Sequence, residues 1–185
     1  MTPSAQRFID IVHALGPRFR ERAPAHDRDG RFVSENYLEL KEQRLLSAAV
    51  PSELGGGGAS HSDICHVLRE LAHYCPSTAL ALSMHTHLVA AAVWKQKHGQ
   101  PGEALLRKVA GSELVLVSTG AGDWVDSVGR AERVTGGYRV SAVKRFCSAA
   151  PVHALTERRD PAVAESACTH MVPMARHSPF MLNSS

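Results

Sequence analysis

The sequence predicts an α+β protein: an all-α N-terminal domain over residues 1–112, then the start of a β domain over 113–152. Three observations predict this. Apolar residues recur at helical spacing from Phe8 to about Lys97. Pro- and Gly-rich breaks divide that stretch into helix-sized pieces. After Glu113 the text turns to short β-type runs: Leu114-Val115-Leu116-Val117, Gly137-Tyr138-Arg139-Val140 and Arg145-Phe146-Cys147-Ser148. Residues 153–185 carry neither period and read as an irregular tail.

The elements follow in order. Phe8, Ile11, Val12, Leu15 and Phe19 form one face of a first helix, from about residue 4 to 23, which Pro24 should end. Ser34 can cap a second helix carrying Tyr37, Leu38 and Leu45. Val50-Pro51 and the run Gly55–Gly58 interrupt the pattern. Ser62 is placed to cap a third helix, whose face is Ile64, Val67, Leu68, Leu71, Ala72 and Cys75. Pro76-Ser77-Thr78 restarts the chain as a fourth helix to about Lys97. That helix is apolar nearly all round, so its neighbours should bury it. A short fifth helix begins at Pro101 and ends near Gly111. Gly136-Gly137 predicts a tight hairpin turn between Arg130–Val134 and Tyr138–Ser141.

Composition narrows the function classes. Hydrophobic residues are 44% of the chain, enough for a core, but aromatics are only 5%, so Leu, Ala and Val must do most of the packing. The net charge of +3 comes without a basic block, which argues against nucleic acid. The N-terminus lacks the apolar core of a signal peptide. The longest apolar run, Ala79 to Trp94, is broken by Ser83, His85, Thr86 and His87 and is short for a bilayer. Cys65, Cys75, Cys147 and Cys168 form no CxxC pair. Free thiols and a cytoplasmic location are expected.

Local motifs exclude more than they assign. No Gly-Lys-Ser/Thr follows Gly55–Gly58, so it is not a phosphate loop; a flexible surface loop is expected. Gly120-Ala121-Gly122 lacks the third glycine of a dinucleotide fingerprint, yet it can offer backbone N–H groups to a ligand. His85 and His87 point to opposite sides of a helix and cannot share a metal there. They read as satisfied buried or interfacial histidines, and no metal site is assigned. Ser118, Cys147 and Ser148 sit in no nucleophile elbow. No catalytic residue is assigned.

The order of signals is more specific than any one of them. Val50-Pro51-Ser52-Glu53-Leu54 leads into the four glycines, and Ile64–Ala72 into Pro76-Ser77-Thr78. Leu114–Val117 then runs into Gly120-Ala121-Gly122-Asp123, followed by Ala131-Glu132-Arg133, Gly137–Ser141 and Lys144-Arg145-Phe146-Cys147-Ser148. Over about residues 5–152 this resembles the acyl-CoA dehydrogenase family.

The resemblance implies a helical N-terminal domain, an incomplete β-barrel-like middle domain, FAD as cofactor and an acyl-CoA substrate undergoing α,β-dehydrogenation. Complete members are homo-oligomers. Val117, Ser118, Thr119, Gly122 and Asp123 fall where the family binds the flavin's pyrimidine edge and meets its substrate. Phe146 and Ser148 fall where an aromatic packs beside the flavin and a hydroxyl bonds its polar edge. Thr-Glu-Pro is missing before the glycines, and Ser141-Ala142 replaces Asn-Gly. Relatives with altered loops include flavin-dependent monooxygenases, for which FMN and another small-molecule substrate are the alternative. A non-catalytic helical interaction module is a third. The family's general base lies in a C-terminal helical domain. Loss of the β pattern after residue 152 gives the expectation of a chain truncated before that domain and inactive alone. A frameshift near His153 is the cause it suggests.

Overall fold

A computed structural model of the chain describes residues 3–118, 130–135, 137–142, 148–149 and 168–173. Two compact units emerge: Met1–Ser118 with Cys147–Arg158, and Thr119–Phe146 with Arg159–Ser185. The first holds helices α1 (Pro3–Asp29), α2 (Ser34–Glu42), α3 (His61–Ala72), α4 (Pro76–Lys97) and α5 (Glu103–Ser112), with a 3₁₀ turn at Ser52–Leu54. Helix α1 packs on α3, α3 on α4, and α4 on α5. Phe8, Val12, Leu15 and Phe19 of α1 join Tyr37 and Leu40 of α2 and Ile64, Val67 and Leu71 of α3 in the main core. A smaller cluster gathers Val50, Leu54, Val89, Leu106 and Val109. Each such side chain, fully buried, contributes about 2 kcal/mol.

Helix α1 runs six residues past the predicted end near residue 23, through both Pro17 and Pro24. Its stop is set at Gly30 instead. Gly30 adopts φ 59° and donates to the Asp27 carbonyl, while Arg31 donates to the His26 carbonyl at 3.0 Å. This double bond pattern closes a helix with glycine in the left-handed region. The added turn has tertiary support. Arg18 and Arg22 both reach Glu39 at 2.6 Å, and His26 lies 3.5 Å from Glu35, so α1 and α2 are stitched along their length.

The cap of α3 lies two residues before the predicted one. Ser60 accepts from the Asp63 N–H, and the Asp63 carboxylate accepts from the Ser60 N–H at 3.0 Å. Reciprocity decides the position: Ser60 has an acid three residues on, whereas Ser62 has Cys65. Ser60→Ala is expected to lower stability by about 1 kcal/mol, read as a lower urea midpoint at unchanged m-value.

The four-glycine run is not a flexible loop. Gly57, Gly58 and Ala59 donate to the carbonyls of Ser47, Val50 and Ala48 at 2.9–3.0 Å. A Cβ on Gly56 would run into the Val50 carbonyl, and one on Gly57 would lie 2.8 Å from the Ala48 carbonyl and against the Phe8 ring. These glycines serve a close approach of two backbone segments.

Helix α4 also departs from expectation. It buries Ala79, Leu82, His85, Val89 and Ala92, but Leu80 and Trp94 remain 67% and 54% exposed. Among the described residues its second apolar face is uncovered. No helix among them is long and apolar enough to cross a membrane.

The second unit contains a three-stranded antiparallel sheet in the order β1 (Arg130–Val134), β2 (Gly137–Ala142), β3 (Cys168–Pro173). Val134 pairs with Gly137, so Gly137 belongs to β2 and the turn begins at Thr135, one residue before the predicted glycine pair. β3 comes from a stretch the sequence reads as irregular. Six residues with β-branched Thr169 and Val172 are too few to show a period. The run Leu114–Val117 forms no strand ladder. The chain reaches Ser118 and makes one isolated antiparallel bridge there to Ser148.

Candidate functional site

The bridge brings together two of the residues assigned to the flavin edge. Ser148 donates its backbone N–H to the Ser118 carbonyl at 3.0 Å. Ser118 is buried, while Val117 and Ser148 are half-buried. Val115 and Ala149 beside them enter the main hydrophobic core. Ala149 takes φ 64°, a left-handed conformation that turns the chain sharply after the bridge. Thr119, Gly122, Asp123 and Phe146 lie outside the described residues, as does Cys147.

Two buried polar groups hold the approach to this bridge, and neither stood out as functional in the sequence. Glu113 caps α5 at φ 49°. Its carboxylate accepts from the Ser47 backbone N–H at 3.2 Å and from the Ser47 hydroxyl. Arg44 lies 3.7 Å from it and donates to the carbonyls of Gly55 (3.1 Å) and Ala110 (3.0 Å). Burial pushes the Glu113 carboxyl above its ordinary pKa, against the Ser47 hydrogen bonds and the Arg44 charge. Three residues on, Leu116 donates its N–H to His85 Nδ1 at 2.9 Å, and His85 Nε2 meets the Leu46 carbonyl at 2.8 Å. The segment 113–116 is therefore tied at both ends to the turn at Leu46-Ser47.

A groove of about 530 Å³ opens between α3 and α4. Ile64, Cys65 and Leu68 form one wall, and Met84, His87 and Trp94 the other. Most of the lining is apolar. Its buried polar atom is His87 Nδ1, which has no hydrogen-bond partner among the described residues. The sequence reading of satisfied histidines thus holds for His85 and fails at this atom of His87. Helical rotation explains the split: the two rings face different sides of α4. Such a groove suits a partly apolar small molecule that offers one group for hydrogen bonding.

Comparison with known proteins places this architecture. Residues 4–113 match the acyl-CoA dehydrogenase N-terminal domain. The chain belongs to the acyl-CoA dehydrogenase family. Within that family it is similar to L-evernosamine nitrososynthase of Micromonospora sp., at 31% identity over 82% of this chain and 38% of the relative. It is 27% identical to amino sugar nitrososynthase RubN8 of Streptomyces rubradiris, over 97% of this chain and 44% of that protein. Among solved structures, KijD3 in complex with FMN and dTDP-3-amino-2,3,6-trideoxy-4-keto-3-methyl-D-glucose superposes with a TM-score of 0.67. The identity is 30%, covering 82% of this chain and 39% of that one. The chain thus spans about two fifths of the length of these family members.

Proposed function

We propose that this chain supplies the N-terminal helical domain and the first flavin-facing segment, at Val117–Ser118, of a flavin-dependent N-oxygenase acting on a nucleotide-linked amino sugar. The observation that carries this reading is similarity to amino sugar nitrososynthases through 82–97% of the chain, past the helical domain and into the β segment. The loop departures agree with it, since Gly120-Ala121-Gly122 lacks the Thr-Glu-Pro lead-in that the acyl-CoA dehydrogenase resemblance leads one to expect.

The described residues fit a flavin edge. Two serines meet at the Ser118–Ser148 bridge beside apolar Val115 and Ala149. A flavin presents the matching pair of features, a polar rim on an apolar ring. Reduced flavin held there would supply electrons to dioxygen for oxygen transfer to a substrate amine. In this reading Ser118 and Ser148 bond the polar rim, Val117 packs on the ring, and Thr119, Gly122, Asp123 and Phe146 complete the cradle. The middle domain is a β-barrel of which the three described strands form part.

Titration of the purified chain tests this. FMN or FAD should lose fluorescence on binding, and the dTDP-linked amino sugar should bind at least about tenfold more tightly than acyl-CoA thioesters, ~1.4 kcal/mol. Tighter binding of acyl-CoA would return the assignment to dehydrogenation.

A further inference from the structure

We propose that His85 is the positioning residue of the candidate flavin segment at Leu116–Ser118: its imidazole clamps Leu116 and so sets the register in which Ser118 meets Ser148. The inference rests on the flavin reading above for its functional meaning, but the clamp itself is a statement about this chain.

Three observations carry it. His85 is fully buried in the middle of α4, and both ring nitrogens are engaged by backbone, from segments 39 and 31 residues away in sequence. Those partners fix the tautomer. The Leu116 N–H can only donate, so Nδ1 is the acceptor; the Leu46 carbonyl can only accept, so Nε2 carries the proton. The ring is then a rigid, neutral spacer between the Leu46 turn and the strand approach. A neutral imidazole offers a donor and an acceptor at fixed separation in one plane, which suits this bridging role. Leu116 also lies two residues before Ser118. In extended chain, residues two apart share a side, and a slip of one residue would send the Ser118 side chain to the other side. Holding Leu116 N–H therefore specifies which side chain reaches the bridge.

The Glu113 anchor does not do this alone. It fixes the end of α5, and two residues outside any ladder, Leu114 and Val115, separate it from Leu116. His85 removes that slack.

The test has a structural and a functional arm. In the ¹⁵N-labelled chain at neutral pH, a through-hydrogen-bond coupling should connect Leu116 N with His85 Nδ1. Its absence overturns the clamp outright. In His85→Leu, the amide signals of Leu116, Ser118 and Ser148 should move while those of α1 stay, and flavin should bind about tenfold more weakly. His85→Gln, which keeps a donor and an acceptor, should recover part of that loss. Unmoved Ser118 and Ser148 signals in His85→Leu would refute the positioning role, whatever flavin does. If the wild-type chain shows the coupling and the shifts but takes up no flavin, the clamp stands and the flavin reading falls. Should His85→Leu fail to fold, the wild-type coupling and the His85→Gln shifts still decide.

Discussion

Gly56→Ala should be the most damaging single-methyl change in the helical domain, costing about 3 kcal/mol. The new Cβ meets the Val50 carbonyl, a backbone atom that three neighbouring hydrogen bonds hold in place. Relief requires moving residues 48–50, and Ala48 and Val50 are core residues. Urea denaturation should show the loss as a lower midpoint. Gly111→Ala is the matched control. Nothing lies within 4 Å of its added Cβ, and it sits inside α5, so alanine should stabilise by up to ~1 kcal/mol. If both substitutions behave alike, the close-approach account of the glycine run is wrong.

Acidification should weaken the domain through His85. Burial pushes its imidazole down from 6.5 to about 4; the Leu46 hydrogen bond opposes the shift, and the nearby His87 adds to it. The native state therefore keeps the ring neutral while the unfolded chain takes up a proton below its ordinary value. This contribution is intact above pH 6.5, declines as the pH falls towards 4, and levels off below. The full loss is roughly 3 kcal/mol. Glu113 acts in the opposite sense. Its raised pKa gives stability that is complete below its ordinary value and is lost as pH rises through the folded one. Comparing urea midpoints from pH 7 to pH 4 in wild type and His85→Gln isolates the histidine. The variant should be flatter across that window, and parallel profiles would contradict the assignment.

Much of the helical domain was legible because its signals are local. The Phe8–Phe19 face, the Ile64–Leu71 face and Pro76 at the first turn of α4 each encode an element within a few residues. The errors arose where a distant contact outweighed a local rule. Pro24 is a breaker on its own, yet α1 continues because Arg22 and His26 gain partners on α2. Four glycines look loose in a string and become packed once Val50, Ala48 and Phe8 are brought alongside. The site shows the same division. Ser118 and Ser148 could be singled out by resemblance, but a sequence separation of 30 hides the fact that their backbones meet. His85 and Glu113 were invisible as anchors because their partners, Leu46, Ser47 and Leu116, are main-chain or small polar groups with no pattern to read.

The position of Trp94 has a practical consequence. The indole stands on the rim of the α3–α4 groove and stacks on His98, with ring centroids 4.2 Å apart. A molecule seated in the groove would displace water from one side of this chromophore, changing the colour and intensity of its emission. The protein thus carries an intrinsic optical reporter at the mouth of its own groove, and occupancy can be followed in unlabelled material.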